Sequence, residues 1–110
     1  MSLRLDWGPH RLGPGKVALL EAIAEAGSIR AAAQALGLSY PKASRLVREL
    51  NAALAAPLVS TRAGGAERGG AEVTALGRSA VGAYRAAEAA AHAAASAALD
   101  GGPGDTQIEA

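Results

Sequence analysis

The chain has 110 residues, half of them apolar, and a formal net charge of +1, the balance of one globular domain rather than a disordered chain. It has no Cys and only two widely separated histidines, His10 and His92, which excludes disulfides and thiolate metal sites and leaves no local ligand pair, so no metal or cofactor is expected. With 30 Ala, one Trp, two Tyr and no Phe, the core must be aliphatic and built from closely approaching helices.

"MSLRLDW" places Arg4 and Asp6 where a secretory signal needs an uninterrupted apolar run, and no later segment approaches the length of a membrane span. The reading is a cytoplasmic, bacterial protein with no membrane partner. "LRLDW" alternates as a short strand, Leu3 and Leu5 facing in, and "GPHRLGPG" breaks it. A first helix is expected from about Lys16 to Ala26, with Val17, Leu20, Ile23 and Ala24 as its apolar stripe and Glu21 and Glu25 facing water. Gly27 ends it, and Ser28 caps a second helix whose Ile29, Ala32, Ala33 and Leu36 share one side. Gly37 stops that helix, and Ser39 caps a third, with Pro41 in its first turn, running to about Ala55 before Pro57.

"PLVSTR" and "AEVT" flank the glycine-rich "AGGAERGG" and predict a two-stranded hairpin. Thr74 then caps a last helix that continues through the Ala run to about Leu99, and "DGGPGDTQIEA" predicts a disordered tail. The expected fold is mainly α with a small β-wing, a winged helix-turn-helix followed by a long C-terminal dimerisation helix. The expected division is residues 1–74 for the winged unit, 75–99 for the long helix and 100–110 for the tail.

Charge is unevenly distributed. Between Ser28 and Arg85 eight basic residues (Arg30, Lys42, Arg45, Arg48, Arg62, Arg68, Arg78, Arg85) face three acidic ones, and beyond Arg85 no Lys or Arg remains. A basic middle points to a polyanion partner. At about 100° per residue, Ala43, Leu46, Val47, Leu50 and Leu54 fall in one apolar arc of the third helix. Pro41, Arg45 and Arg48 fall opposite, with Lys42 and Ser44 on the flanks. A helix fixed from behind and cationic in front can enter a DNA major groove, where Arg contacts guanine bidentately. The plain alternative is a solvated face with an Arg45–Glu49 pair worth a few tenths of a kcal/mol. The amides at Ser28, with Arg30, can hold a phosphate, and Arg62 and Arg68 in the wing can lie against a sugar-phosphate backbone or in a minor groove.

With those residues in that order, "GPGKVALLEAIAEAGSIRAAAQALGLSYPKASRLVRELN" and "LVSTRAGGAERGGAEVTALGR" resemble the N-terminal DNA-binding domain of ModE-type, molybdate-responsive transcriptional regulators, and more distantly LysR-type domains. The resemblance covers about Leu12 to Ala90. It implies that Ser39, Tyr40, Lys42, Ser44 and Arg45 face the major groove, that Arg62 and Arg68 serve the wing, and that the long helix pairs with its twin. The sequence departs from the family at Ser44, where ModE-type proteins often carry Trp. The oxyanion-binding domains of such regulators have no counterpart in the chain, so it is not expected to bind molybdate.

Along the last helix Ala80, Ala83, Ala87, Ala91, Ala94 and Ala98 recur at spacings of three or four, with Tyr84 among them. Such a face can pack tightly against a second copy, antiparallel, with two recognition helices one DNA turn apart, about 34 Å. Its alternative is a solvated, fraying helix. No enzyme is expected: the wing glycines lack the Lys and Ser or Thr of a P-loop, and no carboxylate pair or activated nucleophile shares a face. The leading reading is a dimeric, sequence-specific DNA-binding transcriptional regulator whose partner is double-stranded DNA. The alternative is a winged-helix protein–protein interaction module that pairs with a separate effector-binding partner.

Overall fold

A computed structural model describes residues 3–7, 10–54, 56–61 and 70–100. In chain order its elements are β1 (Leu5–Trp7), β2 (His10–Leu12), α1 (Pro14–Ala26), α2 (Ile29–Leu36), α3 (Tyr40–Ala53), β3 (Val59–Thr61), β4 (Ala71–Val73) and α4 (Ala75–Asp100). This is the mainly α architecture with a small β-wing and a long last helix that the hydrophobic pattern predicts.

Local chemistry explains the helix boundaries. Gly13 precedes α1 in an extended conformation with Pro14 just inside the helix, where its missing N–H is no loss. Gly27 closes α1 at φ +80, its N–H donating 2.8 Å to the Ile23 carbonyl. Gly37 closes α2 at φ +70, and the Gly37 and Leu38 amides donate to the Gln34 and Ala33 carbonyls at 3.2 and 2.9 Å. Both bonds together form a Schellman stop, which requires a residue tolerant of left-handed φ. Helix α3 ends at Ala53, slightly before the expected end, because Leu54 returns to extended backbone.

The core gathers Leu12, Val17, Leu19, Leu20 and Ile23 with Ile29, Ala32, Ala33, Ala43, Val47 and Leu50. Leu58, Val59, Ala71 and Val73 of the wing and Tyr84 of α4 complete it. Each fully buried aliphatic contributes on the order of 1.5–3 kcal/mol against its exposed state. Three expected placements are corrected. Leu19 is wholly buried and Ala24 exposed, because α1 is covered by α2, α3, β4 and α4 together and its apolar arc is set by that surround. Leu36 is 38% exposed at the end of α2, beyond the reach of the core. The segment "GPHRLGPG" is not merely a break, since β2 pairs antiparallel with β1, Leu5 opposite Leu12, Asp6 opposite Arg11 and Trp7 opposite His10. A three-residue strand is too short for alternation to register.

The wing strands pair Val59 with Val73, Ser60 with Glu72 and Thr61 with Ala71. Thr74 caps α4 as expected, its Oγ1 accepting from the Gly77 N–H at 3.0 Å while donating to the Pro57 carbonyl at 2.9 Å. Gly77 packs so closely that a Cβ there would lie 2.3 Å from the Leu58 carbonyl oxygen. The first turns of α4 thus belong to the common core, and the packing shows no break at Thr74. Asp100 still closes α4, and the rest of the expected tail, from residue 101, lies outside the described residues. Among the described residues no helix is long and apolar enough to cross a membrane.

Candidate nucleic-acid interface

Two serine caps position the two short helices. The Ala31 N–H donates to Ser28 Oγ at 3.0 Å and the Lys42 N–H to Ser39 Oγ at 3.2 Å, each satisfying an amide the helix start leaves open. Between the helices, Arg30 lies over the Tyr40 ring, 4.4 Å from its centroid. This cation–π contact joins the start of α2 to the start of α3 and orients Tyr40.

Helix α3 is anchored from behind by Ala43, Val47 and Leu50, with Leu46 and Leu54 only partly buried. Pro41, Lys42, Arg45 and Arg48 are exposed and Ser44 is half-buried beside them. The Arg48 Nη1 donates to Ser44 Oγ at 3.2 Å, one turn back on the same helix. Arg45 reaches Glu49 only at 4.0 Å, whereas Lys16 of α1 sits 3.2 Å from the same carboxylate. Glu49 is therefore tied mainly to α1, and the Arg45 guanidinium, more than half exposed, is available to an outside acceptor. A bidentate acceptor such as a guanine edge or a phosphate matches that fork.

The residue that joins α3 to the wing is Asn51. Its Oδ1 accepts from the Leu58 and Val59 amides, both at 2.9 Å, and its Nδ2 donates to the Val59 carbonyl at 2.9 Å. One side chain thus sets the start of β3 against the end of α3. Spacing assigns Asn51 no role, and its signal in the sequence is a polar residue adjoining the apolar arc of the third helix. At the other side of the wing the Ala71 N–H donates 2.8 Å to the Gly27 carbonyl, so β4 is held to the end of α1. Arg62 and Arg68, expected at the wing, lie outside the described residues.

Two cations counted in the basic middle serve the fold instead. Arg78 donates to the Val73 carbonyl at 2.8 Å. Arg85 grips Glu21 with two bonds, Nε to Oε2 at 3.0 Å and Nη2 to Oε1 at 2.7 Å, and Glu88 with a third at 2.7 Å. Glu21 therefore does not simply face water: the hydrogen bonds from Arg85 hold its carboxyl below the ordinary value, against a smaller opposing effect of burial. The same bonds push the Arg85 pKa up.

Of the residues expected on the pairing face of α4, Ala83, Ala94 and Ala98 are exposed and Ala80, Ala87 and Ala91 half-buried. Tyr84 is a correction: it is fully buried in its own chain's core, and its hydroxyl donates 2.6 Å to the Leu3 carbonyl. An aromatic of that size, the largest fully buried side chain, fills a core that has no Phe. Among the described residues no group of three or more His, Asp or Glu is placed to hold a metal ion.

Comparison with known proteins is consistent with this geometry. The family of bacterial regulatory helix-turn-helix proteins, lysR family, matches residues 15–78. The molybdenum-pterin-binding protein MopB of Rhodobacter capsulatus is 48% identical over 79 residues, which is 72% of this chain and 29% of MopB. The molybdenum transport protein ModE of Azotobacter vinelandii is 42% identical over 88 residues, 80% of this chain and 32% of ModE. The chain spans about a third of the length of these curated relatives. In the crystal structure of the CbnR_DBD–DNA complex the similar protein chain has a TM-score of 0.57 at 32% identity, covering 73% of this chain and 87% of that one. Full-length CbnR complexed with its target DNA gives 0.58 at 29%, covering 77% and 29%.

Proposed function

Because the chain belongs to the lysR family of bacterial regulatory helix-turn-helix proteins, we propose that it binds double-stranded DNA sequence-specifically, as a homodimer, to regulate transcription. The observation that carries this reading is the outer face of α3, where Pro41, Lys42, Arg45 and Arg48 stand exposed on a helix whose back is fixed in the core. In this reading α3 lies in the major groove, with Ser39, Tyr40, Lys42, Ser44 and Arg45 facing it and Arg48 beside them. Ser28 and Arg30 meet a phosphate, and Arg62 and Arg68 serve the wing. Residues 1–74 then act as the DNA-binding unit and 75–99 as the dimerisation helix, paired along Ala80, Ala83, Ala87, Ala91, Ala94 and Ala98. The C-terminal turns of α4 support that pairing, since Leu99 is 67% exposed and the alanines around it present little bulk.

The test is fluorescence anisotropy of the full chain against a random-sequence duplex pool over a salt series, beside the Arg45→Ala, Arg48→Ala double variant. Salt-sensitive binding that weakens in the variant is the expected result. No binding at low salt overturns the DNA reading and turns the search to a protein partner. Sedimentation equilibrium is expected to give twice the 10.9 kDa chain mass, and Ala94→Glu is expected to return it to the monomer.

A further inference from the structure

We propose that Arg4, Lys16 and Lys42 form a second phosphate-binding shoulder beside the recognition helix, which receives a DNA phosphodiester across the groove from the one met by Ser28 and Arg30; the inference rests on the DNA reading above. The three cations come from separate elements: Arg4 from the segment before β1, Lys16 from the first turn of α1 and Lys42 from the first turn of α3. They line one open hollow of about 320 Å³, together with Gly13, Pro14, Gly15 and Leu46. Arg4 lies directly against residue 13, where a Cβ would stand 3.4 Å from Arg4 Cγ. Arg4 and Lys42 are both exposed, and among the described residues neither makes an ion pair. Lys16 alone is paired, with Glu49 at 3.2 Å on the margin of the same face. Three positive groups around one hollow, with a single carboxylate at its edge, focus a positive potential there and favour an anion.

The position of the hollow on α3 indicates which anion. Tyr40 and Lys42 are two residues apart, hence about 200° apart around the helix, and between them lies the exposed arc of Pro41, Arg45 and Arg48. Arg30 stacks on Tyr40 at one edge of that arc, and the hollow opens at Lys42 on the other. A helix in the major groove, about 12 Å wide, has a row of phosphates on each side. A cationic group at each edge of the helix matches both rows. The fold, not their spacing in the chain, brings Arg4 and Lys16 to Lys42.

The experiment is anisotropy of the full chain with a labelled random-sequence duplex from about 50 to 300 mM salt, comparing wild type with the Arg4→Gln, Lys16→Gln double variant, whose stems still cover the hollow. The slope of log affinity against log salt is expected to flatten by about 1, for the one phosphate no longer neutralised, with about tenfold weaker binding near 0.1 M salt. The charge-retaining Arg4→Lys, Lys16→Arg variant is expected to recover the wild-type slope, and its failure to do so would mean a structural role and overturn the proposal. An unchanged slope in the Gln variant, while Arg45→Ala, Arg48→Ala still weakens binding, overturns the shoulder and leaves the DNA reading standing. A wild-type chain that binds no duplex overturns both.

Discussion

The outer face of α3 and the seam between α1 and α4 both carry arginines, but in opposite states. At the seam Arg85 makes three hydrogen bonds to Glu21 and Glu88 at 2.7 to 3.0 Å, and Tyr84 beside it closes the core onto the Leu3 carbonyl. On α3, among the described residues, Arg48 is steadied only by Ser44 of its own helix, and Arg45 stands 4.0 Å from Glu49. The guanidinium groups that hold the fold together are matched by fixed acceptors on another element or on the adjoining turn. Those on the outer face of α3 meet, among the described residues, no acceptor on another element. Charge counted along the chain does not separate these cases, and Arg78, Arg85, Arg45 and Arg48 contribute equally to the basic middle.

The comparison breaks most sharply at Tyr84. Tyr84→Ala empties the largest buried site and is expected to cost about 3–5 kcal/mol of stability in denaturant unfolding; a loss below about 1 kcal/mol would mean that α4 is not part of the core. Asn51→Ala leaves the Leu58 and Val59 amides without their acceptor and is expected to cost about 2 kcal/mol. It should also weaken DNA binding in native conditions by more than its Tm accounts for, because the wing loses its tie to α3.

Arg45→Ala is the converse case. It is expected to cost about 1–3 kcal/mol of affinity on a selected operator and relax the preference at one base pair, while thermal stability changes by less than about 0.5 kcal/mol. An unchanged affinity beside a measurable loss of stability would assign Arg45 to the fold rather than to DNA.

The smallest effect is at the seam itself. The folded-state pKa of Glu21 is held below its ordinary value of 4.5 by the bonds from Arg85. The pair therefore contributes stability above about pH 4.5, lost as pH falls through the lowered value. Arg85→Ala, removing a pair whose side chains are about 40% exposed, is expected to cost under about 1 kcal/mol at pH 7. The gap from wild type should narrow as the pH falls below 4.5 and through the lowered pKa, and a gap independent of pH would assign it to packing.

Much of the architecture was legible because it is encoded locally. Ser28, Ser39 and Thr74 announce helix starts, Gly27 and Gly37 announce stops, and the spacing of Ala43, Val47 and Leu50 assigns the buried side of α3 and hence its outer face. Spacing puts Tyr84 on a face for a second helix, but the same stripe suits the chain's own α1, and spacing does not say which neighbour arrives. The β1–β2 hairpin is not legible in the sequence because three residues carry no period.

By itself, then, the sequence determined where helices begin and end and which face of α3 is cationic, since caps, left-handed glycines and helical periodicity act over a few residues. Tertiary structure decided which charged and polar groups are used internally. The Arg85–Glu21 clamp joins residues 64 apart in sequence, and the Tyr84–Leu3 bond joins residues 81 apart. Asn51 reaches the wing only once β3 has folded back on α3, and Arg4, Lys16 and Lys42 meet only when three elements pack. Such partnerships depend on distance in space, and no local rule of spacing contains them.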